Sequence, residues 1–189
     1  MRYRDGGRSP VCLTMSRDEI GQSLAECYQA FSAYVKQLPD SEIHQALPGK
    51  WSAAQQVEHL VKSVRPVTMA FALPKFMLPI LFGRANRPSR SQDELIERYK
   101  SRLASGGKAS RAFIPGVPDD LHAVYDRLDR IVQKLIARTA RFSEAELDLF
   151  ILPHPLLGKL TFREMLYFTA YHARHHRALI QSAHPKAKV

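Results

Sequence analysis

Residues 161–182 read TFREMLYFTAYHARHHRALIQS. Thr161 and Glu164 stand three apart at the head of this stretch, the spacing of a capping box that opens a helix. On a wheel of about 100° per residue, Met165, Phe168, Thr169 and Ile180 gather on one face. His172 and His176 fall in the middle of that face, each about 20° from Met165. They are one turn apart, so their imidazoles lie side by side. Two buried imidazoles are costly unless each has a partner, either a hydrogen-bonding group or a shared metal ion.

The same grammar runs upstream. Ser16 and Glu19 open a helix with the stripe Ile20, Leu24, Cys27, Phe31, Tyr34, Val35 and Leu38, and Pro39 lies beyond its end. Ser52 and Gln55 open a second with Val57, Leu60, Val61, Val64, Thr68 and Phe71, where Pro66 predicts a kink or break. A long crossover at 74–90 follows, rich in Pro, Gly, Arg and Ser. Ser91 and Glu94 then open a helix with Leu95, Tyr99 and Leu103, which Gly106 and Gly107 stop. Residues 119–139 carry a clear helical period, 143–150 read as short turns, and 151–160, ILPHPLLGKL, as a structured loop. No useful stretch alternates with period two, so no sheet is expected. The class is all-α: a four-helix bundle with a long crossover connection and an extra short helix.

One domain over 14–183 accounts for this pattern. A loose basic arm at 1–13 and a loose tail at 184–189 are expected at its ends, since both lack apolar periodicity. Cys12 and Cys27 form no disulfide framework, which suits a reducing, cytoplasmic compartment. The apolar stretch 67–83, VTMAFALPKFMLPILFG, is broken by Pro74, Lys75 and Pro79 and is too short to span a bilayer. It reads as a loop or broken helix packed over the bundle end, with a membrane-touching segment as the lesser alternative. The net charge is +10, with nine basic and three acidic residues from Lys75 to Arg111. No recognition helix, zinc finger or RNA-binding sheet motif accompanies it, so specific nucleic-acid binding is not expected. The charge reads as a soluble basic surface or, more narrowly, as a complement to an anionic small-molecule substrate.

A third ligand for a metal at the pair must come from another segment. His44, His59, His122 and His154 are the candidates. His59 lies about 130° from the centre of its helix's stripe, so periodicity does not choose it. His175 sits at the edge of the last helix's apolar face. Glu58, beside His59, is a weak candidate for acid–base catalysis. Gln55 is one turn before His59, Arg174 and Arg177 flank the pair, and Tyr167 and Tyr171 read as packing residues.

WSAAQQVEHL, residues 51–60, together with HPLLGKLTFREMLYFTAYHARHH, residues 154–176, resembles the DinB-like superfamily. That group includes bacillithiol transferases and the mycothiol-dependent maleylpyruvate isomerase. The resemblance implies a four-helix bundle with the long crossover between its second and third main helices, the segment 91–105 lying on that crossover. It implies a divalent metal, usually zinc or nickel, held by His59, His172 and His176, and a homodimer. Three histidines leave a coordination position open, as in catalytic rather than structural zinc sites. The implied function is a metal-dependent enzyme, either a thiol S-transferase using a small thiol or a hydrolase. Two alternatives stand beside it: a non-catalytic, stress-linked helical dimer with a structural or vestigial metal site, and a basic binding module.

Overall fold

Ser16, Ser52, Ser91 and Ser143 each stand in extended backbone, and each closes a capping box with the residue three later. They start α1 (Arg17–Lys36), α3 (Ala53–Ala70), α5 (Gln92–Ala104) and α7 (Glu144–Leu149). A single turn, α2 (Asp40–Ile43), lies between the first two, and α4 (Met77–Phe82) lies on the crossover. Asp120 Oδ1 accepts from the Ala123 amide at 3.0 Å to start α6 (Leu121–Thr139). Thr161 and Glu164 exchange the capping-box bonds at 2.9 and 3.2 Å before α8 (Phe162–Ala183). The computed structural model describes residues 14–183. The expected arm at 1–13, with Cys12, and the tail at 184–189 lie outside the described residues.

Helices α1, α3, α6 and α8 form the bundle. Both α1 and α3 pack against α6 and α8, and α5 lies outside on α8. Their stripes meet in one apolar core that includes Leu24, Phe31, Leu60, Leu128, Leu135 and Phe162. The long crossover joins α3 to α6 and carries α4, α5 and a 3-10 turn at Arg111–Phe113. At the end of α5, Gly106 adopts a left-handed φ of 85°. The Gly107 amide then donates to Arg102 O at 2.9 Å, so close that a Cβ there would lie 2.6 Å from that oxygen. This stop turns residues 107–113 back against α3.

Two local expectations need correction. Residues 151–160 are not a loop. β1 (Ile151–His154) and β2 (Gly158–Thr161) form an antiparallel hairpin in the register Ile151↔Thr161 to His154↔Gly158. Each strand is four residues long and carries its buried residues consecutively, so no alternation betrays it. Pro66 does not break α3, which runs through it. Pro66 is exposed, and the carbonyl it deprives of a donor lies on the side that water reaches.

The crossover is fastened to the start of α8. Glu164 has no solvent exposure. Its carboxylate accepts from Arg87 Nη1 at 2.7 Å and Nη2 at 2.8 Å, and from the amides of Arg90 and Thr161 at 2.8 and 2.9 Å. Burial alone would raise its pKa, but the Arg87 fork and the two amides prevail and hold it below the ordinary glutamate range. The preceding Arg163, also buried, donates to Asp148, Glu144 and Met15 O. No helix among the described residues is long and apolar enough to cross a membrane.

Glu164→Gln is expected to lower stability at pH 7 by about 2–3 kcal/mol, less than a fully sealed pair because Arg87 and Arg90 keep some solvent. The Glu164 contribution is complete above the unfolded glutamate pKa of about 4.3 and is lost as pH falls through the lower folded value. Urea titrations should therefore show the gap between wild type and variant closing below about pH 4.

Candidate metal centre

His172 and His176 project from one side of α8, and His59 projects from α3 towards them. His172 Nε2 lies 3.0 Å from His176 Nε2 and 3.3 Å from His59 Nε2. All three side chains are buried, and their candidate ligand atoms all lie within 4.8 Å of one another. His59 is buried despite its place off the stripe because α3 serves two interfaces. It packs on α6, and also on α8 and the 3-10 turn. A single-stripe reading sees only one of them.

The outer ring nitrogens are held. His59 Nδ1–H donates to Phe113 O at 2.7 Å. His176 Nδ1–H donates to Gln56 Oε1 at 2.9 Å, and Gln56 Nε2 donates to Trp51 O at 3.3 Å. Because Phe113 O can only accept, and Gln56 is oriented by Trp51, both rings carry their proton outside and turn the Nε2 lone pair inward. Phe168 stacks on the His172 ring at 4.9 Å. Trp51 lies 4.8 Å from the His59 ring and nearly parallel to that of His176 at 6.4 Å.

Burial lowers the pKa of His59 and drives those of His172 and His176 well below the ordinary histidine value, with the neighbouring imidazoles adding to the effect. The cluster is thus neutral at pH 7, the state a metal ligand needs. Imidazole–metal bonds of about 2.0–2.1 Å separate two ligands of a tetrahedral ion by about 3.4 Å. The separations from His172 come near this, so the donor set fits a divalent cation.

A cleft of about 370 Å³ reaches the three histidines, with mostly apolar and aromatic walls including Trp51, Tyr99 and Phe168. Lys108 is its one cationic lysine or arginine among the described residues, and no carboxylate lines it there. His154, on β1, also lines the cleft but stands outside the cluster. Its Nδ1 accepts from the Leu156 and Leu157 amides, both at 3.2 Å, which leaves the proton on Nε2. Burial pushes its pKa down to about 4. His175 lines the cleft as well, its ring 5.4 Å from that of His176.

The remaining candidates lie elsewhere. Glu58 sits half-buried in a separate depression with Lys62, Asp119 and Arg127. Gln55 is occupied in the Ser52 capping box. His44 caps the end of α2, and His122 belongs to the first turn of α6. The Arg174 guanidinium lies over the Tyr171 ring at 5.7 Å, and Tyr167 OH accepts from the Met15 amide. Gln56 and Phe113 were not singled out by the sequence, whereas Trp51 opens the stretch 51–60 that carries the resemblance. Gln56 had a signal, lying three residues before His59 on the same side of α3. Phe113 had none, since it acts through its backbone carbonyl.

Residues 23–180 match the model of the DinB superfamily, and the chain belongs to that superfamily. Solved structures that share its fold include two described as four-helix bundles. YfiT from Bacillus subtilis, described as a probable metal-dependent hydrolase with an unusual four-helix bundle topology, aligns with a TM-score of 0.62 at 17% identity, covering 97% of this chain and 93% of that one. TT2238, described as a four-helix bundle protein, aligns at 0.57 and 18% identity, covering 88% of this chain and 99% of that one. No curated protein sequence matches the chain.

The histidine cluster has a pH signature. In the unfolded chain histidine titrates near pH 6.5, and the folded values lie lower. Between those values the unfolded chain binds more protons, so stability falls as pH drops. Chelator-treated protein is expected to keep its full stability above about pH 7 and to lose it progressively below about 6.5. Urea titrations at successive pH values should show a shallower slope in the His172→Gln, His176→Gln double variant.

Proposed function

We propose that the protein is a metal-dependent enzyme whose divalent ion, zinc or nickel, is held by His59, His172 and His176. The observation that carries this reading is the convergence of three neutral imidazole Nε2 atoms at one end of an apolar cleft. When bound, such an ion supplies Lewis acidity, which lowers the pKa of a water or thiol reaching its open side. Phe113 O and Gln56 fix the two outer rings and keep their lone pairs turned inward. Trp51 and Phe168 cover the cluster and limit water around it. The His154 Nε2–H is a donor that can meet negative charge developing on a substrate in the cleft.

Thiol transfer asks least of these residues. A thiolate is itself the nucleophile, and among the described residues no carboxylate lines the cleft to act as a general base towards water. Hydrolysis is the second reading, favoured by the likeness to YfiT, described as a probable metal-dependent hydrolase. The substrate is a small molecule with an apolar body, which suits the walls, and Lys108 can meet an anionic group on it. A cytoplasmic setting accords with the free thiol of buried Cys27.

Mass spectrometry of protein purified without added metal is expected to find about one ion per chain. His59→Ala, His172→Ala and His176→Ala should each lose it, while Gln56→Ala should weaken affinity by about 10–100-fold. Equal metal in wild type and all three histidine variants would overturn the site. Turnover of an alkyl electrophile only when a small thiol is supplied separates transfer from hydrolysis, which consumes an ester or amide in water alone.

A further inference from the structure

Helix α4 shows solvent what a folded core normally hides. Leu78 is fully buried and anchors the helix against β1, while Phe76 and Ile80, one turn apart, are 71% and 77% exposed. Leu81, and Met69 near the end of α3, add 52% and 59% exposed surfaces in the same stretch of chain. Along the chain the charge of this stretch is one-sided, although Glu146 of α7 reaches it to pair with Lys75. From His59 to Gln92 there are six basic residues and no acidic one. Lys75 is paired with Glu146 and Arg87 with Glu164, but Arg65 and Arg84 are exposed and enter no ion pair among the described residues. Arg65 stands one turn ahead of Met69. Arg138 reaches the same end of α3, donating to Thr68 O at 2.6 Å.

Apolar side chains projecting from a short helix, in a stretch of chain that carries arginines and no acidic residue, match the boundary of an anionic bilayer, where acyl chains meet phosphate headgroups. A second copy of the chain fits less well. It would bring the same arginines of a +10 chain face to face. We propose that α4 docks the protein on an anionic lipid bilayer, Phe76, Ile80 and Leu81 entering the surface while Arg65, Arg84 and Arg138 meet lipid phosphates. The patch adjoins the cleft, because Val67, Ala70 and Phe82 belong to the cleft wall. Docking therefore brings an apolar cleft to a surface where apolar molecules dissolve. None of this depends on the metal.

Vesicle flotation tests the proposal, using phosphatidylcholine alone and phosphatidylcholine mixed with phosphatidylglycerol. Wild type is expected to float with the anionic vesicles at low salt, about tenfold more than with the neutral ones, and to be released by high salt. The F76E/I80E double variant should lose at least about tenfold in binding while melting at an unchanged temperature, since both positions face solvent. Absence of wild type from the anionic vesicles, or equal flotation of the variant, overturns the proposal. A light-scattering mass of twice the monomer that the variant abolishes, without vesicle binding, overturns it too and assigns the patch to a second copy.

Discussion

Glu164 is a carboxylate without solvent, and the arrangement around it follows from that. A buried charge must be met on every side, and its partners come from three places: the Arg87 guanidinium, the Arg90 amide and the Thr161 amide. Two of these belong to the crossover and one to the end of the hairpin. Arg163, next along the chain, is met in the same way by α7 and by Met15 at the head of α1. Together the two residues fix how α8 enters the bundle and how it is turned about its axis. His172 and His176 follow on the same rigid helix, so their direction is inherited from these ionic contacts as much as from the apolar stripe.

The crossover is consequently more than a connection. One end is clamped by Glu164, and the other delivers the Phe113 carbonyl to His59. Between them, Tyr99 and Lys108 form part of the cleft wall. The glycine stop at 106–107 links the two functions, because it folds the chain back from α5 towards α3 within a few residues. A bundle with short connections would keep Gln56, which belongs to α3, but would lack the Phe113 carbonyl and the cleft wall that the crossover supplies. Here the three histidines meet two carbonyl acceptors and an open cavity.

Membership of the DinB superfamily and the likeness to YfiT and TT2238 account for the architecture. At 17–18% identity that likeness speaks for the backbone, while the chemistry rests on the site itself. Local features of this chain carry the rest: the neutral imidazole cluster, the His154 ring oriented by two amides, and the bare apolar side of α4.

The amino-acid order by itself determined the helices, because their signals are local. Each capping box joins residues three apart, and each stripe repeats within one helix, so Ser16, Ser52, Ser91 and Thr161 mark their starts without any knowledge of neighbours. It also set His172 and His176 side by side, since one turn of helix does so in any context. The resemblance of 51–60 and 154–176 to a family singled out His59, which the wheel alone did not. What only the tertiary structure decided depends on groups far apart in the chain. His59 is buried because α3 is covered on two sides. Gln56 and the Phe113 carbonyl orient two rings through contacts 120 and 54 residues away. The hairpin at 151–161 pairs strands too short to show a period. Local physics writes helices into a sequence. Which of their sides meet, and which polar groups then lose water, is settled only when the chain closes on itself.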